Sequence, residues 1–160
     1  MASIRSRIGE NMKDRYLFKA KRVDNGEWVQ GHLFDDGFEN GRMFVGGLVI
    51  EDYHGTACDD WSITGIDFYG VDQSTICQCT GLKDKNGKLI WENDIMVAHL
   101  GEDYPEDETY IRIMWHENGF CSIENGSEDI TPIDKFDREH FEACGNIFDN
   151  KELLESEEKQ

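Results

Sequence analysis

Residues 80–95 read Thr-Gly-Leu-Lys-Asp-Lys-Asn-Gly-Lys-Leu-Ile-Trp-Glu-Asn-Asp-Ile, and their reading decides the fold. Gly81 lets the chain leave one strand closely packed, and Asn86-Gly87 reverses it. Leu89 and Trp91 then alternate inward, and Asn93-Asp94 introduces the short apolar run 95–98 by a second tight turn. A stretch of this kind preserves turn geometry and strand register, which favours a structural role over that of a binding loop.

The same grammar extends upstream. Tyr16, Phe18, Ala20 and Val23 nearly alternate with polar neighbours, and residues 28–34 form a second run beyond Asp24-Asn25-Gly26. That Asn-Gly predicts a type I′ hairpin, in which both turn residues adopt positive φ. After the turn cluster 35–41, residues 42–45 and 48–50 make a strand, and Gly46-Gly47 predicts a bulge or bend within it. Residues 51–61 are acidic and read as an irregular loop, followed by strand-like runs at 63–69 and 74–79.

Downstream, residues 101–108 hold five carboxylates and a proline and read as a solvated loop. Runs at 110–115 and 120–123 flank His116-Glu117-Asn118-Gly119, a second Asn-Gly hairpin. Residues 133–141 suit a short helical turn, and 143–148 a final strand. The expected architecture is mainly β, a short-stranded β-roll or small barrel with little helix. Its divisions fall at an N-terminal arm 1–14, a β subdomain 15–79, a small-barrel subdomain 80–150 and an acidic tail 151–160.

Three stretches taken together resemble one family. They are Tyr16-Leu17-Phe18-Lys19-Ala20 with Asn25-Gly26-Glu27-Trp28-Val29, the central run 80–95, and Gly145-Asn146-Ile147-Phe148-Asp149-Asn150-Lys151-Glu152-Leu153-Leu154. In this order and spacing they resemble the YopX family of small phage and prophage proteins, over residues 15–154. The resemblance implies a mainly-β module with a small barrel in its C-terminal half and carries over no catalytic residues. Two positions depart from the family pattern. Asn93 stands where the family usually has Gly, and Asn tolerates the same left-handed conformation. Lys151 replaces a proline common after the last Asn.

Charge bounds the partner. The chain has 160 residues, 34 acidic against 16 basic side chains, and a net charge of −18. Residues 1–30 carry 7 basic and 4 acidic groups, net +3, which leaves −21 on the remainder. Such a body does not neutralise phosphates, so direct nucleic-acid binding by it and docking on anionic lipid are not expected. No run approaches the ~20 apolar residues of a membrane helix, and the first 15 residues lack a signal-peptide core. An odd set of five cysteines suits a reducing cytoplasm better than a disulfide framework.

No constellation announces chemistry. Cys77-Gln78-Cys79 with Cys58, Cys121 and Cys144 lacks a Cys-x-x-Cys pair, so buried thiols packing as small hydrophobes is the stronger reading over zinc. The pairs Asp35-Asp36, Asp59-Asp60, Glu92/Asp94 and Glu102-Asp103 arise readily in a chain with 34 acids, and because neighbouring strand residues face opposite ways such doublets do not by themselves make a converging site. There is no nucleophile elbow, Walker A loop or Gly-x-Gly-x-x-Gly. No catalytic residue, metal ligand or cofactor is therefore assigned.

Trp61 behind Asp59-Asp60 is an aromatic framed by acids, a pattern that suits a basic partner. The candidate partner contacts are Asp59, Asp60, Trp61, Glu102, Asp103, Glu106, Asp107 and Glu108. The expected function is a non-enzymatic phage accessory protein acting through protein contacts, with a homo-oligomer as one form. The alternatives are an acidic mimic that occupies a nucleic-acid-binding protein, and a carboxylate-dependent metal hydrolase.

Overall fold

A computed structural model describes residues 13–99 and 107–155. The chain divides into two compact units, one spanning Tyr16–Ile76 and the other built from Cys77 onward together with residues 13–15. Most of the expected arm at 1–14 and residues 156–160 of the tail lie outside the described residues. Among the described residues the molecule is mainly β with two short helices, as the turn spacing predicts.

The first unit is an antiparallel meander of β1 (Phe18–Lys21), β2 (Trp28–Asp35), β3 (Met43–His54) and β4 (Asp59–Val71). Its registers Ala20↔Val29, Leu33↔Val45 and Met43↔Val71 put those side chains on one face. There Ala20, Val45 and Val71 are buried, with Val29, Leu33, Met43 and Ile76 packed around them.

Four local expectations change here. Asn25-Gly26 is not a two-residue I′ turn, because Gly26 alone has positive φ and the connection is longer. Asn25 instead accepts the Glu27 N–H on its side chain at 3.0 Å, an Asx turn. The strand irregularity falls between Val49 and Ile50, opposite the extra residue Thr64, and not at Gly46-Gly47. Gly46 serves close packing: a Cβ there would collide with the carbonyl of Asp67. Residues 51–61, read as a loop, are strand except for the four-residue turn 55–58. Residues 73–75 form a single 3-10 turn capped by the Asp72 side chain, so the next strand begins only at Cys77.

In the second unit, β5 (Cys77–Lys83) pairs with β6 (Leu89–Trp91). A five-stranded antiparallel sheet follows, ordered β10 (Ile130–Pro132), β9 (Gly119–Glu124), β8 (Glu108–His116), β7 (Asp94–His99) and β11 (Glu142–Asn146). This sheet runs from β10 at one edge to β11 at the other and does not close into a barrel among the described residues. Its core is Ile90, Met96, Ala98, Ile111, Ile113 and Phe141, with Leu82 and Ile133 against it. Helix α1 (Lys135–His140) starts with a capping box between Asp134 and Asp137, and α2 (Glu152–Glu155) is a single turn. In the hairpin β8–β9 the turn centres on Glu117-Asn118, with Glu117 at φ +52° and Gly119 already paired with His116.

The central motif does structural work. Gly87 takes φ +80° in the turn after Asp84, and Asn93 takes φ +67°, the left-handed conformation that its substitution for Gly requires. Asn93 also donates its N–H to the Ile113 carbonyl at 2.8 Å and accepts from the Arg112 guanidinium at 3.0 Å. In the closing motif, Asn146 Oδ1 accepts the N–H groups of Phe148 and Asp149, and Asn150 Oδ1 accepts that of Asn146.

Candidate functional site

Beyond Gly46, strand β3 has no β2 partner, and β4 is the outermost strand of its sheet. Residues 47–67 therefore form a two-stranded ribbon that extends past the rest of the meander. Its sequence supports this, since Val49, Ile50, Tyr53, Trp61, Ile63, Thr64 and Ile66 are β-branched or aromatic residues suited to a pleated surface.

Cross-strand register sorts the side chains. Leu48↔Ile66, Ile50↔Ile63, Asp52↔Trp61 and His54↔Asp59 share one face; Glu51↔Ser62 and Tyr53↔Asp60 share the other. The first face carries a continuous apolar row, with Leu48 56%, Ile63 53%, Trp61 63% and Ile66 71% exposed. Toward the body of the sheet the row continues into Phe34 and Phe68, whose rings meet edge to face at 4.8 Å. Single exposed apolar residues are ordinary, whereas a contiguous row of this kind is not, and it makes the ribbon the candidate site.

Acids line both faces of the ribbon, Asp52 and Asp59 on the face of the row and Glu51, Asp60 and Asp67 on the other. The ribbon's one basic group, His54, sits 3.3 Å from Asp59. Asp60 Oδ1 accepts the backbone N–H of Trp61 at 2.8 Å, which holds that carboxylate against its own strand. A shallow cavity of about 260 Å³ is lined by Glu51, Asp52, Tyr53, Asp60, Trp61 and Ser62. Its three carboxylates do not converge, because Glu51 and Asp52 are successive strand residues on opposite faces. The arrangement is suited to adhesion: an apolar strip on a negatively charged ribbon.

Of the residues singled out by sequence, Asp59, Asp60 and Trp61 fall together on β4. Asp107 is exposed ahead of β8, and Glu108 is the first residue of that strand, in the other unit. Glu108 accepts the Tyr110 hydroxyl and lies 3.8 Å from His99. That hydrogen bond, aided by burial, pushes the Tyr110 phenol up to about 12. Glu102, Asp103 and Glu106 lie outside the described residues. Sequence reasoning missed Leu48, Ile50, Ile63 and Ile66 as site residues. The signal was their apolar alternation on either side of 51–61, which assigning a loop there had cut in two.

The cysteines are free thiols, with Cys77, Cys79 and Cys121 buried and Cys58 exposed in the ribbon's turn. Among the described residues no three His, Cys, Asp or Glu side chains are grouped to hold a metal ion. No described helix is long and apolar enough to cross a membrane.

The fold has a counterpart among solved structures. The crystal structure of protein EF1440 from Enterococcus faecalis superposes with a TM-score of 0.50 at 22% identity, over 86% of this chain and 96% of that one. At that identity the likeness speaks for the fold alone. No curated protein sequence matches the chain. The family model described as YopX protein matches residues 18–155, and the chain belongs to the YopX family.

Proposed function

We propose that this protein is a phage accessory protein, without catalytic activity of its own, that acts by docking a basic protein partner on the β3–β4 ribbon. The observation that carries the reading is the exposed row Leu48, Ile50, Ile63, Ile66 and Trp61 with Asp52 and Asp59 on the same face. Each aliphatic side chain that a partner fully covers contributes roughly 1.5–3 kcal/mol. The charge selects which partner: Asp52 and Asp59 on the face of the row, with Glu51, Asp60 and Asp67 behind it, attract cationic side chains and repel a second copy of the same ribbon. The family resemblance supports the phage setting, and five free cysteines support a reducing cytoplasm.

The test places a photo-crosslinking residue at position 61, with position 151 as control, in cells that express the full chain. A discrete adduct from 61 and not from 151, to a protein whose reconstituted binding weakens with salt and with Trp61→Ser/Ile66→Ser, is the expected result. Adducts only between copies of this chain overturn the basic-partner reading. Adducts that are the same from both positions overturn the site.

A further inference from the structure

The second unit holds a groove of opposite character. A cavity of about 500 Å³ beside the β5–β6 turn is lined by Lys83, Asp84, Lys85, Lys135, Arg138 and Glu139. Four of the chain's 16 basic side chains thus meet in one concavity of a protein whose net charge is −18. The volume lies in the range of small-molecule sites, about 300–1,000 Å³.

The acids nearby are largely committed. Asp84 is buried and accepts three backbone N–H groups, those of Asn86, Lys88 and Ala143. Glu139 sits 3.5 Å from Lys135, and Lys85 is 3.7 Å from Glu142. Asp134 and Asp137 cap α1, and Asp137 also accepts the Ser122 hydroxyl. Lys83 and Arg138 have no ion-pair partner among the described residues. The groove therefore offers two uncompensated cations, one of them a planar guanidinium suited to bidentate phosphate recognition, and two more whose partners are exchangeable surface carboxylates.

We propose that this groove binds the diphosphate group of a small phosphorylated molecule. A diphosphate brings enough charge to engage Lys83 and Arg138 together and enough oxygens to recruit Lys85 or Lys135. A nucleic-acid backbone is disfavoured, because a polyanion longer than the groove runs onto an acidic surface. The inference is independent of the ribbon.

Isothermal titration of the full chain with inorganic pyrophosphate, ADP and a short single-stranded oligonucleotide tests it, at low salt and at about 150 mM. Saturable pyrophosphate or ADP binding, weakened about tenfold or more by Lys83→Gln/Arg138→Gln, is the expected result. Arg42→Gln/Lys151→Gln removes the same charge elsewhere and leaves the affinity within about twofold. No saturation at low salt, equal weakening in both double variants, or preference for the oligonucleotide overturns the proposal. Should the groove variant not fold, amide shifts of the unmodified protein on pyrophosphate addition decide: shifts centred on 83–85 and 135–139 support the site, and shifts elsewhere overturn it.

Discussion

The carboxylate of Asp84 accepts the backbone N–H of Ala143, 59 residues further along the chain, at 2.9 Å. Its other oxygen holds the N–H groups of Asn86 and Lys88, each at 2.9 Å. One buried side chain thereby shapes the turn before β6 and ties it to β11, the edge strand of the five-stranded sheet. Asp84→Ala leaves these donors without their acceptor and is expected to lower stability by about 2–4 kcal/mol. Asp84→Asn, which keeps one acceptor oxygen, falls between it and the unmodified chain. Urea unfolding followed by tryptophan fluorescence reads both.

Asn93 is a second constrained position. Its φ of +67° costs Ala roughly 1 kcal/mol more than Asn or Gly, and its side-chain oxygen serves Arg112. Asn93→Gly loses the side-chain contacts to Arg112 and the Cys77 thiol, whereas Asn93→Ala loses the same contacts and adds backbone strain. Ala is therefore expected to be the more destabilising by about 1 kcal/mol, in thermal or urea unfolding. Equal effects would show that the left-handed backbone carries no strain.

The ribbon should behave in the opposite way. Trp61 and Ile66 project into solvent, so Trp61→Ser/Ile66→Ser is expected to change unfolding free energy by no more than about 0.5 kcal/mol per site. A loss well above that, measured in urea, would assign the row to the protein's own packing rather than to a partner.

Tyr110 supplies a test in alkali. Its phenol is pushed from 10.0 to about 12, first by the hydrogen bond to Glu108 and then by burial. Because the folded value is the higher one, the associated stability is fully present below pH 10 and is lost as pH rises through about 12. Ultraviolet titration of the five tyrosines should show one late phase, and Glu108→Gln should move it toward 10.0. An unmoved late phase would assign the shift to burial alone.

The legible parts of this fold were those where a local rule and the tertiary outcome agree. Asp84 to Gly87 turns as its residue types demand, and Ile95 to Ala98 is buried on both faces, as an unbroken apolar run implies. Strand β10 was not legible, because Ile130-Thr131-Pro132 is too short for a periodicity and exists by pairing with β9. The ribbon failed for another reason. With both faces in solvent, Glu51, Asp52, Asp59 and Asp60 break the apolar alternation that would announce a strand. Asp59, Asp60 and Trp61 were visible as an acid-framed aromatic, but the aliphatic row that gives them meaning depends on the β3–β4 register.

That ribbon also sets a limit on how the protein can be handled. A long outer strand with apolar side chains is a template for edge-to-edge stacking, and natural chains guard such strands with gatekeeper charges and a local kink. Here Asp60, Asp67 and the extra residue Thr64 occupy those posts on β4. The negative charge of the chain therefore opposes stacking of one bare apolar strip on another. Concentrated near the isoelectric point of about 4.5 that its sequence implies, the protein lowers that guard while the strip stays bare.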